Sequence, residues 1–117
     1  MRHRIFLVFL LLLLVAGCGT SAHDLSTPEG AAKVYVEALI KGDSELMDKV
    51  NRSGPLDFPT HYLMSDFAPD YAGRELSEFT FELDPDDNGK VLIISEDGQS
   101  HIRVKRIGDN YYFVGFR

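Results

Sequence analysis

Residues 75–117 read ELSEFTFELDPDDNGKVLIISEDGQSHIRVKRIGDNYYFVGFR, and through most of this stretch hydrophobicity alternates with a period of two. Successive side chains of a strand point to opposite faces, so this period marks strands with one buried face. The first strand sets Phe79, Phe81 and Leu83 against Glu78, Thr80 and Glu82. The second, from Lys90 to Glu96, carries the unbroken run Val91-Leu92-Ile93-Ile94, as expected of a strand that is central in its sheet or covered on both faces. Asp97-Gly98 is a strong hairpin turn. The third strand sets Ile102 and Val104 against His101, Arg103 and Lys105, and Gly108-Asp109-Asn110 turns the chain into Tyr111-Tyr112-Phe113-Val114-Gly115-Phe116. Four strands joined by short turns predict an antiparallel meander.

Before residue 75 the period is helical. Thr27-Pro28-Glu29 supplies an N-cap, a proline suited to the first helical position and an acid in the first turn. Ala31, Val34, Tyr35, Ala38 and Leu39 then recur three and four apart, making one apolar stripe. Lys41-Gly42-Asp43 ends that helix and caps the next, Ser44 to about Val50, whose Leu46, Met47 and Val50 point inward. Ser53-Gly54-Pro55 breaks it. A third short helix is expected from about Pro59 to Phe67, with Leu63, Met64 and Phe67 on one face and Pro69 stopping the run. Helices followed by strands predict an α+β domain, two or three N-terminal helices packed on a four-stranded antiparallel sheet.

The start of the chain is of a different kind. Arg2 and Arg4 precede an unbroken apolar run from Ile5 to Ala16, the charged and apolar regions of an export signal. A helix of about 12 residues rises roughly 18 Å, well short of the ~30 Å hydrocarbon core that a permanent span must cross. The run ends in Val15-Ala16-Gly17-Cys18, which resembles the lipobox of bacterial lipoproteins: a branched aliphatic, two small residues, then the cysteine. That resemblance implies cleavage before Cys18 and a diacylglyceryl group plus a further acyl chain, such as palmitate, on Cys18. Two or more acyl chains anchor stably where one does not. The competing reading is an ordinary secretory signal, or an uncleaved anchor, with a chance cysteine. Cys18 is the single cysteine of the chain, so no intrachain disulfide can form. Gly19 stands where an aspartate would signal inner-membrane retention, which leaves cell membrane and outer membrane both open.

The expected organisation is thus a signal peptide over residues 1–17, a lipidated tether over 18–26 and a single α+β domain over 27–117. Gly19 to Ser26 are nearly all small or polar, and about eight such residues reach on the order of 27 Å when extended, so the domain works close to the bilayer. Loss of Arg2 and Arg4 leaves ten Lys+Arg against eighteen Asp+Glu, a net charge of about −8. A domain of that charge is a poor ligand for nucleic acid or for anionic headgroups.

Thr27-Pro28-Glu29, Tyr35-Val36-Glu37-Ala38-Leu39 and Lys41-Gly42-Asp43 resemble the opening of small bacterial lipoproteins in the cystatin-like, nuclear-transport-factor-like superfamily, many of them domains of unknown function. The resemblance implies helices covering a curved sheet, often with a pocket between them. Tyr112 and Phe113 stand where a last-strand tryptophan is common in that superfamily. Its members include isomerases, dehydratases and non-catalytic binding modules, so fold alone selects no activity.

Four groups of residues bear on chemistry. Asp84-Pro85-Asp86-Asp87-Asn88-Gly89 matches the first half of a calcium loop, with Asp84, Asp86 and Asn88 as candidate oxygen ligands. The twelfth position is Ser95 rather than glutamate, which favours an acidic strand-to-strand turn. His23, His61 and His101 show no metal spacing. His61 beside Tyr62 suggests an acid–base pair if it points into a pocket, against a plain surface histidine. Tyr35, Tyr62, Tyr71, Tyr111 and Tyr112 offer phenols able to polarise a carbonyl, against ordinary packing roles. His101, Arg103 and Lys105 offer an anion-binding strip, against cross-strand pairing with Glu78, Glu82 or Glu96. No Gly-x-Ser-x-Gly, phosphate loop or unmodified thiol accompanies them. The expectation is a membrane-tethered, extracytoplasmic, non-catalytic domain, without cofactor beyond the lipid on Cys18, that binds an envelope protein, a peptide or a small ligand. The alternatives are a small isomerase- or dehydratase-type pocket enzyme and a calcium-stabilised module.

Overall fold

The longest helix, α1 (Pro28–Lys41), forms where its caps and apolar stripe say it should. The Thr27 hydroxyl accepts the Gly30 N–H at 3.0 Å, and Pro28 occupies the first turn, where a missing N–H costs nothing. Gly42 takes φ 63°, the left-handed geometry that ends the helix and lets the Asp43 N–H reach the Ala38 carbonyl at 2.9 Å. Asp43 then caps α2 (Ser44–Val50), accepting the Leu46 N–H at 3.1 Å. The structure, a computed structural model, describes residues 23–54 and 57–117. The expected signal peptide, the expected lipidation site Cys18 and Pro55 lie outside the described residues.

Two short helices follow, α3 (Thr60–Asp66) and α4 (Ala68–Tyr71). Pro69 was expected to stop the third helix; it instead sits in the first turn of α4, where the absent donor would have had no partner. The chain turns at Phe67, whose N–H still bonds the Leu63 carbonyl at 3.0 Å. A 3-10 turn over Leu76–Glu78 then delays the first strand. That turn is held by Glu75 and Glu78, each side chain bonding the other's backbone N–H. Glu78, expected in the strand, therefore lies before it.

The strands are β1 (Thr80–Leu83), β2 (Lys90–Ser95), β3 (Gly98–Ile107) and β4 (Asn110–Gly115), in the spatial order β1-β2-β3-β4 and all antiparallel. This is an α+β domain with an open antiparallel meander. β2 is interior, as its apolar run predicts, but only one of its faces is closed: Val91 and Ile93 are buried while Leu92 and Ile94 are half-buried on the other side. The register shifts between Arg103 and Val104, a bulge that bends β3 and carries the β3–β4 hairpin beyond the other two strands.

The core lies between this sheet and the helices. Tyr35 of α1 stacks on Phe113 of β4 with ring centroids 4.7 Å apart, and Leu39, Met47, Val50, Leu63, Val91 and Ile102 close around them. The free edge of β4 is covered by the protein itself. Its Tyr111 N–H donates to the Leu25 carbonyl at 2.7 Å, and its Phe113 carbonyl accepts the Arg52 N–H at 2.8 Å. Half of the expected tether is thus docked, since His23 also meets Glu37 of α1 at 2.6 Å.

Phe113 is fully buried, so Phe113→Ala removes the ring on which α1 rests. Its cost in urea denaturation is expected to be about 3–5 kcal/mol.

Candidate binding cleft

Where α1, α4 and the β2–β3 hairpin meet, the packing leaves a cleft of about 510 Å³. Its apolar lining comes from Tyr35, Phe67, Tyr71, Phe79 and Phe116, with Ile93 and Ile102 from the sheet; Arg74, Asp97 and His101 supply polar groups. Each wall has a local cause. Tyr71 ends α4 and stacks on Phe79, centroids 5.6 Å apart. Phe116 follows Gly115, whose φ of 139° is open to glycine and whose missing side chain lets the Phe58 ring approach to within 3.5 Å of where a Cβ would stand. Phe116 then packs on Phe58, Phe113 and Phe67, with centroids 4.9, 5.3 and 5.5 Å away.

Two phenols face this cleft. Burial pushes the Tyr35 hydroxyl well above the ordinary tyrosine range, with the neighbouring Tyr71 phenol adding to it. Burial also raises Tyr71, partly offset by Ser100 and Arg74. Both therefore stay protonated at neutral pH and can donate a hydrogen bond to a ligand acceptor. The Arg74 guanidinium lies 4.5 Å over the Phe79 ring and ties the β2–β3 turn to the helical side, with Nη2 3.1 Å from Asp97 and Nε 3.6 Å from Glu78.

Of the described histidines, His101 alone lines the cleft, and its Nε2 donates to the Phe116 carbonyl at 2.9 Å. His61 lies exposed in a separate shallow depression with Asp48, Asn51 and Thr60, and Tyr62 packs against Phe58 and Phe67, so the two form no acid–base pair in the cleft. Tyr111 and Tyr112 belong to β4, away from it. Asn51 is a node the sequence did not announce: its amide donates to the Phe58 carbonyl at 2.8 Å and its oxygen accepts the Ser53 hydroxyl at 2.7 Å. A second depression, about 600 Å³, runs between α1 and β1, but charged and polar side chains, His23, Asp24, Lys33 and Glu37, make up much of its lining.

The acidic turn between β1 and β2 is tied to basic side chains. Asp87 receives both Arg103 Nη atoms, at 3.1 and 2.5 Å, and the Gly89 N–H at 3.0 Å. Asp84 accepts the Asp86 N–H at 2.9 Å and faces Lys90 Nζ at 3.7 Å. Among the described residues no three His, Cys, Asp or Glu side chains gather as a metal cluster. The expected pairing of the His101, Arg103 and Lys105 strip with Glu78, Glu82 or Glu96 is corrected here: Arg103 pairs with Asp87, and Glu78 with Arg74. The register explains it. β2 separates β1 from β3, so Glu82 lies opposite Leu92, whereas Arg103 lies opposite Lys90, beside the returning turn.

No family model, curated protein or solved structure matches this chain.

Arg103, ahead of the Gly89 N–H, holds the Asp87 carboxyl down at about 2, from an ordinary 3.8. A depressed carboxylate contributes stability that is present above the ordinary value and is lost as pH falls through the lowered one. Asp87→Asn is therefore expected to flatten the fall in urea midpoint between about pH 4 and pH 2, and a wild-type slope in the variant would refute the pairing.

Proposed function

We propose that this chain is a bacterial lipoprotein whose domain is held at an extracytoplasmic membrane face through Cys18 and binds a small, largely apolar ligand without transforming it. The cleft is the observation that carries this reading. Its volume of about 510 Å³ falls within the usual ~300–1,000 Å³ of ligand pockets, and its aromatic walls with a few convergent donors suit an apolar body bearing one hydrogen-bond acceptor. The finer fold belongs to the same proposal: a helix laid over a four-stranded meander, with a cleft opening between them, is the arrangement of the cystatin-like, nuclear-transport-factor-like superfamily.

Binding rather than catalysis is favoured by the engagement of the cleft's polar groups: Asp97 is tied to Arg74, and Tyr35 and Tyr71 are hydrogen-bond donors. The His101 Nε2 is committed to a backbone carbonyl at the rim. The anchor is supported by the lipobox-like Val15-Ala16-Gly17-Cys18 and the apolar run before it. An anchored binding domain would present its ligand, or withhold it, at a fixed distance from the bilayer.

An anilinonaphthalene sulfonate dye is expected to bind the purified mature protein saturably. Tyr71→Phe should weaken it about 3–10-fold, the worth of one net hydrogen bond, and Ser100→Trp should block it. Binding indifferent to both changes, or turnover of a ketosteroid or hydroxyacyl substrate abolished by Tyr35→Phe, would replace this reading with another. For the anchor, a signal peptidase II inhibitor should leave uncleaved precursor. Normal processing and release of Cys18→Ser would show that Cys18 is no lipid attachment site.

A further inference from the structure

Most polar groups that line the cleft are already engaged. Arg74 is held by Asp97 and Glu78, His101 by the Phe116 carbonyl, and the Tyr71 phenol by Ser100. Tyr35 is different. Its side chain is 2% exposed, yet its hydroxyl has no hydrogen-bond partner among the described residues. Native structures rarely keep a buried hydroxyl in that condition, because it gives up water and receives no bond in return. The ring is clamped on Phe113, centroids 4.7 Å apart, which holds the oxygen in place. At the buried end of the cleft there is thus a fixed and unused donor, kept protonated by its burial.

The charges around this donor decide what it can receive. Asp70 and Asp97 line the cleft and are exposed, so they stand toward its mouth, and Asp70 is in no ion pair among the described residues. Against them stands the guanidinium of Arg74, which Glu78 flanks as well. A carboxylate carried to the buried end would pass two acids and leave water without a free cation to meet it. An alcohol would bring an O–H of its own into an apolar lining that offers it no acceptor. A carbonyl oxygen needs only to accept.

We propose that the cleft takes an uncharged carbonyl compound, a ketone, ester or amide on an apolar body, whose oxygen accepts a hydrogen bond from the Tyr35 hydroxyl at the buried end, where a carboxylate is refused. The proposal rests on the reading of the cleft as a ligand site. Tyr35 is then the residue that sets specificity, while Phe67, Tyr71, Phe79 and Phe116 enclose the apolar body. The refusal concerns the buried end alone. A charge left outside the mouth, such as the sulfonate of the dye, stays in water.

The test is equilibrium dialysis of the purified mature protein against three probes that share one body: 2-acetylnaphthalene, 2-ethylnaphthalene and 2-naphthoate. The ketone should bind about 3–10-fold tighter than either of the others, the worth of one net hydrogen bond. Tyr35→Phe should bring the ketone down to the level of the ethyl compound and leave the ethyl compound unchanged. Because the hydroxyl bonds nothing in the free protein, the same variant should melt as the wild type does. A marked fall in its melting temperature would show that the hydroxyl is already partnered, and would overturn the proposal. So would equal binding of the ketone and the ethyl compound. Naphthoate binding tightest, and losing that lead in Arg74→Gln, would overturn it in favour of an anion site at Arg74. If none of the three probes binds, the ligand-binding reading itself fails, and this proposal with it.

Discussion

The stacking of Tyr35 on Phe113 is the contact on which the rest of the molecule turns. It fixes the angle at which α1 crosses the sheet, because a ring from the middle of the helix is clamped to a ring from the last strand. Phe113 also passes the constraint on through its backbone, since its carbonyl receives Arg52 at the end of α2. Its ring in turn meets Phe58 and Phe116, which carry the packing to α3 and to the cleft. The phenol of Tyr35 thereby becomes a fixed part of the cleft floor, while its ring belongs to the core. Packing and site are here two ends of one side chain.

Much of the fold is legible in the residues because periodicity is a local property. The α1 stripe, the caps Thr27 and Asp43, the Gly42 stop and the Gly108-Asp109 turn each act within a few residues and appear where the sequence puts them, while the β2–β3 turn falls one residue early, at Glu96-Asp97, with Gly98 opening β3 opposite Ser95. Pro69 misleads for an instructive reason: proline forbids a helix interior and favours a helix start, and only the turn at Phe67 decides between them. The wide spacing of the cleft's contributors hides it in a similar way. Phe67 and Tyr71 flank one short helix, Phe79 and Phe116 come from two distant segments, and nothing in the individual neighbourhoods of these three segments shows that they converge. Aromatic residues clustered at element ends are the one sequence signal that points toward them.

The charge pairing teaches the same lesson. Counting acids near the His101, Arg103 and Lys105 strip suggests Glu78, Glu82 or Glu96, but adjacency in a sheet follows strand order and register, not composition. Asp87 wins Arg103 because the β1–β2 turn folds back alongside β3, with Val104 N–H on the Gly89 carbonyl at 2.7 Å. The acidic run resembles half of a calcium loop in sequence, while in space two of its carboxylates already face an arginine and a lysine.

The covering of β4 by Leu25 and Arg52 has a consequence for how copies of this protein meet. A sheet grows by adding a strand to an open edge. Here the strand that would be the better template carries the molecule's own chain along it, and the opposite edge, β1, is only four residues long. The segment that joins the domain to its N-terminal region thus doubles as a guard against fibril-like self-association. Cutting the chain between Leu25 and Thr27 would therefore free the segment that lies along β4 and expose a backbone edge to neighbouring copies.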